Sequence, residues 1–192
     1  LRVPYLWTFI VYYTIYHNYR QFYGFCRWYQ KLNHRICKIS NYLVQLLCMV
    51  PFIVFHFRSN VKISYYTIND LWVYQDKDFF LIGIVIYFSL LFFWLSHEVY
   101  LLTKKVYEPN RFFSILVPAT IYACGFLLGN NFSGVAYPIL VAHAIGYFGA
   151  MSLGLERLNP GKFEFGSAIK VILLTAIIYG CYEFIFEEFY IS

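Results

Sequence analysis

The sequence predicts an all-α integral membrane protein, built as a bundle of about six transmembrane helices. Of its 192 residues, 60% are hydrophobic and only 13% are charged, and the mean hydropathy is +0.56. Soluble domains carry roughly 25% charged and 45–50% apolar residues, and a small soluble domain leaves much of its surface in water. Lipid removes that difficulty, so we expect one membrane domain covering residues 1–192.

Six apolar runs define the predicted spans. Each approaches the roughly 20 residues that cross the hydrocarbon core of a bilayer. The intervening segments are rich in Asn, Asp, Lys, Arg and Pro, as is typical of loops. The predicted helices cover about 3–17, 41–57, 79–102, 112–129, 133–154 and 166–188.

The segment 18–38 alternates basic and aromatic residues at helical spacing. We interpret it either as a continuation of the first helix or as a separate amphipathic helix on the inner membrane surface. Its expected ligands are anionic lipid headgroups, which account for the charge with fewer assumptions than RNA does. No nucleic-acid partner is expected.

Basic residues predict the orientation of the bundle. Most of the Lys and Arg lie in segments 18–40, 103–111 and 155–170, which share one side of the predicted membrane. Because positive loops remain on the cytoplasmic side, this side should be internal and both ends of the chain external. We expect a bacterial inner membrane, with the mitochondrial inner membrane as the alternative.

The fifth predicted helix carries small residues or Pro at every fourth position. Small side chains let a second backbone approach closely, and close packing is a main source of helix association in lipid. The stripe therefore predicts that this helix is the centre of the bundle. Its members are Pro138, Ala142, Gly146, Ala150 and Gly154.

Ionisable residues within the predicted spans are the candidate site. A charge at membrane depth costs several kcal/mol unless it is paired or functional. His17, His97 and His143 lie on three helices, and neutral imidazole is a common ligand of Zn, Fe and Cu. The cofactor is unknown, and the candidates are a metal ion or haem. The alternative is that each histidine forms a hydrogen bond to a neighbouring helix. The remaining predicted polar-site residues are Arg20, Gln21, Glu98, Tyr147 and Glu156.

Several known chemistries do not fit the sequence. His97 and Glu98 begin an H-E-x-x-H metalloprotease motif, but Leu101 stands where the second histidine belongs. Repeated histidine clusters of the di-iron desaturase type are absent from the sequence. Ser133 and His143 share one predicted helix, unlike the serine and histidine of rhomboid proteases. The five cysteines form no C-x-x-C pair, and we expect no disulfide.

Residues 17–24 contain a short motif, H-x-x-R-Q-x-Y-G, formed by His17, Arg20, Gln21, Tyr23 and Gly24. This motif resembles a signature of poorly characterised polytopic membrane proteins of bacteria. The resemblance implies an inner-membrane protein with His17 and Gln21 in a polar site. It implies no particular reaction.

Two functional hypotheses follow from these observations. In the first, the chain is a subunit of a larger membrane assembly and has no catalysis of its own. In the second, it is a membrane-embedded metal- or haem-binding oxidoreductase or a lipid-modifying enzyme, with a histidine-rich site toward the inner leaflet. The first requires fewer special residues, so we favour it. Whether the chain is an enzyme stays open at this point.

Overall fold

The computed structural model describes residues 5–34, 36–59, 61, 71–130 and 132–158, together with residues 170, 174, 177 and 178. Two compact units are present, residues 1–143 and 144–192. All regular structure in the described residues is helical. The helices are α1 Leu6–Leu32, α2 Lys38–Phe55, α3 Lys77–Thr103, α4 Pro109–Tyr122, which continues as a π-helical turn Ala123–Leu128, and α5 Phe132–Leu158.

Four helices in the described part of the chain are long and apolar enough to cross a membrane. They coincide with the second to fifth predicted spans, which confirms the all-α class with apolar spanning helices. The sixth predicted helix, 166–188, lies outside the described residues except for four positions, which are helical and exposed. The four apolar stretches are Lys38–Phe55, Lys77–Thr103, Pro109–Leu128 and Gly134–Met151.

Helix α1 is continuous over 27 residues, about 40 Å at 1.5 Å per residue. Segment 18–32 therefore continues the first helix, which was one of the two interpretations. Tyr, Asn, Gln and Arg make α1 less apolar than the four candidate spans. Its buried side chains recur every three or four residues and form one stripe against α2 and α4. That stripe consists of Val11, Ile15, Asn18, Phe22, Cys26 and Gln30.

Helix α2 is the central helix of the first unit, because it contacts α1, α3, α4 and the π-helical turn. Leu43, Leu47 and Phe55 are among its buried side chains. The expectation that α5 is the centre of the whole bundle stays a prediction, because α5 runs from the first unit into the second. Among the described side chains of α5, the buried ones are in its first turns and include Val135 and Ile139.

Helix α3 is attached to the first unit along one narrow stripe. Its buried residues are Gly83, Tyr87, Trp94 and Glu98. At Gly83 an added Cβ would overlap a methyl group of Val54, so glycine permits the close approach of α3 to α2. The Tyr87 hydroxyl donates to the carbonyl of Ala119 at 3.0 Å, which ties the same stripe to α4.

Arg58 joins the end of α2 to the end of the π-helical turn. Its guanidinium donates to the Phe126 carbonyl at 2.9 Å, the Gly129 carbonyl at 2.6 Å and the Asn130 side-chain oxygen at 2.6 Å. The last carbonyls of a helix lack intrahelical donors and carry partial negative charge. Arg58 satisfies them, and its burial lowers the pKa of its guanidinium.

Candidate functional site

The first unit brings together three predicted site residues, which we name the histidine pair site: His17, Gln21 and His143. A spacing of four puts His17 and Gln21 on one face of α1. The His17 and His143 rings are 5.6 Å apart between centroids, and the Gln21 amide donates to the His143 backbone carbonyl at 3.3 Å. Gln21 Oε1 and His143 Nδ1 are buried without a hydrogen-bond partner among the described residues.

His97 lies in a different place from the other two histidines. Its Nε2 atom is 3.8 Å from the Cys37 sulfur, and α3 reaches that point because it packs on α2. Within the described ranges, no three side chains of His, Cys, Asp or Glu are grouped to hold a metal. His17, His97 and His143 therefore do not form a three-ligand site in the described residues. Residues at a similar depth on three helices come together only if each lies on the face that its helix turns toward the others.

Gln30 organises the connection between α1 and α2. Its side chain is fully buried and donates to Asn41 Oδ1 at 2.9 Å and to the Cys26 sulfur at 3.1 Å. Gln30 Oε1 accepts the Cys37 backbone N–H at 2.7 Å. A buried amide that uses both its donor and its acceptor side fixes the backbone around it. Gln30 was not among the site residues expected from the sequence. Its position in the buried stripe of α1 is the feature that could have indicated its role.

Glu98 and Arg111 form a buried ion pair between α3 and α4. Arg111 donates to Glu98 Oε2 at 2.6 Å, and both side chains are only 4% exposed. The other carboxylate oxygen of Glu98 and Nε of Arg111 have no partner among the described residues. Glu98 was predicted as a polar-site residue, whereas Arg111 was predicted only as a loop cation. The pair holds the ends of two candidate spans together.

The remaining predicted residues are distributed over the surface and the second unit. Arg20 is exposed, donates to Gln45 Oε1 at 3.1 Å and lies 4.7 Å above the Tyr23 ring. Tyr147 is exposed in α5. The Glu156 side chain lies outside the described residues. Of the small-residue stripe, four members are half-buried and one is exposed: Pro138, Ala142, Gly146 and Ala150, then Gly154.

A hydrogen-bonded triad lies near the end of α2 that is remote from Cys37. His56 Nδ1 is 2.8 Å from the Phe52 carbonyl, which can only accept, so Nδ1 carries the proton. Nε2 then accepts a hydrogen bond from the Tyr12 hydroxyl at 2.6 Å. The Tyr12 oxygen in turn accepts one from the backbone N–H of Trp72 at 3.4 Å. Desolvation lowers the pKa of His56. The lowered pKa favours the neutral imidazole, which is the form described by these contacts.

A scan against protein-family models, a search of curated proteins and a search of solved structures each found no match. The resemblance seen at residues 17–24 stays a prediction. In the described part of the chain the regular structure is entirely helical. Many of its polar side chains form hydrogen bonds or ion pairs between two helices.

Proposed function

We propose that this chain is a non-catalytic subunit of a larger membrane assembly. It would be anchored by about six spans in a bacterial inner membrane or, alternatively, in the mitochondrial inner membrane. The proposal goes beyond the four apolar helices of the described residues, since it adds the first and sixth spans, the compartment and the partners.

The observation that carries the proposal is the small buried share of two candidate spans. The described chain buries 44% of the apolar stretch of α2 and 39% of that of α4, but only 11% for α3 and 17% for α5. A helix that contacts its own chain along one narrow stripe has most of its surface left for lipid or for other subunits. In a membrane, either lipid or a partner helix can cover such an apolar surface. Exposed examples on α3 are Phe79, Phe88, Phe92 and Phe93.

The later turns of α5 favour a protein partner over lipid. A Cβ built on Gly154, the exposed member of the small-residue stripe, would meet no atom of the described residues within 4 Å. Glycine offers lipid chains little contact area, but it lets a second helix approach closely. Gly146 and Ala150 belong to the same small-residue face. We therefore assign this face to a helix of another subunit.

The polar groups fit a structural role in such a subunit. The Glu98–Arg111 pair and the Tyr87–Ala119 hydrogen bond each join two helices. The alternative, a metal- or haem-dependent oxidoreductase or a lipid-modifying enzyme, used His17, His97 and His143 as one site. No specific contact in the described residues favours it, because those histidines fall in two places.

Light scattering of the protein extracted from its native membrane in a mild detergent tests the proposal. The protein mass of the particle, corrected for detergent, should exceed 22.9 kDa and should include other polypeptides. Replacing Ala150 and Gly154, which are one turn apart on this face, with Leu should release the chain as a monomer, because two bulky side chains block the helix contact. The matched control replaces Ile145 and Met151, both exposed on the same helix, with Leu and should leave the particle intact.

Two results would contradict the proposal. One is a particle that contains this chain alone. The other is a photo-crosslink from position 154 that reaches only residues 166–188 of the same chain, since the small-residue face would then be covered from within. Metal analysis and an absorption spectrum of the same preparation address the alternative function, which predicts a bound metal or a haem band.

A further inference from the structure

Cys37 lies at the boundary of a candidate membrane span. It immediately precedes α2, whose apolar stretch begins at Lys38, so the thiol is at the level where hydrocarbon meets the headgroups. The side chain is half-buried. Its position is fixed because the Cys37 backbone N–H is held by Gln30 Oε1 at 2.7 Å.

The Cys37 thiol is paired with an imidazole from another helix. His97 Nε2 lies 3.8 Å from the sulfur, and His97 Nδ1 is buried without a partner among the described residues. Nδ1 can therefore carry the ring proton while Nε2 accepts the thiol proton. A thiolate, rather than a thiol, is the nucleophile, and an adjacent imidazole is a common means of generating it.

The surface beside this thiol is apolar. Ile36 is 62% exposed and Ile39 is 45% exposed, one before and one after Cys37 in the chain. Tyr42, one turn into α2, is 67% exposed. A hydrocarbon chain attached to the sulfur would run along these side chains into the bilayer, where burial of its methylene groups is favourable.

We propose that Cys37 is a site of S-acylation that accepts a long-chain acyl group from an acyl thioester. His97 Nε2 takes the thiol proton, and the sulfur attacks the carbonyl carbon of the thioester. The new carbon–sulfur bond forms as the old one breaks, and the departing thiolate recovers the proton from the imidazolium. No oxidant or reductant is required. The inference is independent of the proposed partners, since acylation modifies this chain whether or not it is in an assembly.

The other described cysteines provide the comparison. Cys26 and Cys48 are fully buried, and Cys124 is exposed on the π-helical turn. That turn belongs to the apolar stretch Pro109–Leu128, where hydrocarbon disfavours the thiolate. An imidazole beside the sulfur, together with a flanking apolar surface, makes Cys37 the preferred acceptor.

Incubating the purified full chain in mixed micelles with palmitoyl coenzyme A tests the proposal. Hydroxylamine-sensitive acyl exchange and peptide mass analysis should locate one acyl group on Cys37. Cys37→Ser should abolish the signal, and His97→Gln should slow acylation by about 10²-fold, as expected when a general base is removed. Cys124→Ser is the matched control and should acylate at the rate of the unchanged chain.

Alkylation with a small maleimide separates reactivity from folding. Cys37 should react faster in the unchanged chain than in His97→Gln, and the two proteins should have the same helical circular dichroism signal. Acylation of Cys124 in preference to Cys37, an equal rate in His97→Gln, or no thioester at Cys37 would each overturn the proposal. None of these results would change the particle mass that tests the proposed function.

Discussion

Replacing Arg111 with Met leaves the Glu98 carboxylate buried between α3 and α4 without its counter-ion. Both side chains are only 4% exposed, and the two charged atoms are 2.6 Å apart. Water does not reach the carboxylate, and the second carboxylate oxygen has no partner among the described residues. Replacing Glu98 with Met likewise leaves the Arg111 guanidinium buried without its counter-ion. Replacing both residues with Met removes the two charges together and keeps the side-chain volume similar.

The expected magnitudes differ sharply between these variants. Leaving one charge of a buried pair without its partner costs about 3–5 kcal/mol, whereas exchanging the whole pair for apolar side chains is often neutral or stabilising by about 1–4 kcal/mol. At about 1.4 kcal/mol for each factor of ten, each single variant should lower the folding equilibrium constant about 10²-fold or more. The double variant should be at least as stable as the unchanged chain.

A double-mutant cycle measures this difference. The chain is unfolded in mild detergent by titration with a denaturing detergent, and helical circular dichroism reports the free energy of unfolding of all four proteins. The coupling between the two positions should be large, because the single changes cannot add when they act on one contact. Additive losses, or a loss below about 1 kcal/mol for both single variants, would refute the buried-pair argument.

Three further predictions concern the other helix contacts. Gly83→Ala should destabilise the chain by about 1–3 kcal/mol, because the new methyl overlaps the stiff side chain of Val54, and Val54→Ala in the same chain should restore much of the loss in a thermal melt. Arg58→Met should cost about 1.5–3 kcal/mol and accelerate amide exchange in the π-helical turn, since charged hydrogen bonds to the Phe126 and Gly129 carbonyls are lost. Unchanged exchange there would exclude Arg58 as a cap. The lowered pKa of His56 means that the folded state resists protonation, so stability should be full above about pH 6.5 and should fall on acidification toward the lower folded pKa. His56→Gln should flatten this part of the melting-temperature curve, and an equally steep curve in that variant would assign the effect to other groups.

The positions of the apolar helices could be predicted from the sequence because hydropathy over about 20 residues is a strong local signal. The predicted span 79–102 and the observed α3 Lys77–Thr103 differ by one or two residues at each end. The continuity of α1 was less certain, since a basic helix on the surface and an extension of the first helix have the same local pattern. Gly24 alone does not interrupt the helix, and its neighbours keep the periodicity.

The candidate site was predicted only in part. The depth of a residue in the membrane follows from its position along its own helix, whereas the face that a helix turns toward its neighbours depends on how the helices pack. His17 and Gln21 meet His143 as one interpretation expected. His97 does not join them, because the side of α3 that carries it is decided by the contact with α2. Arg111 looked like an ordinary loop cation until α4 placed it opposite Glu98. No sequence pattern identifies such partners across a loop.

The contrast between α1 and α3 has a consequence for the order in which the chain is assembled in the membrane. Helix α3, with a mean hydropathy of 2.4 over its most apolar stretch, can partition into lipid as an independent helix at the translocon. Helix α1 carries Asn18 and Gln30 in the stripe that α2 and α4 cover, and uncovered amides in hydrocarbon are unfavourable. Residues 6–32 are synthesised before α2 and α4, yet their stable placement must wait until those two helices have emerged and covered the amides. Truncation after α2 should therefore leave α1 at the membrane surface, open to labelling from the aqueous side.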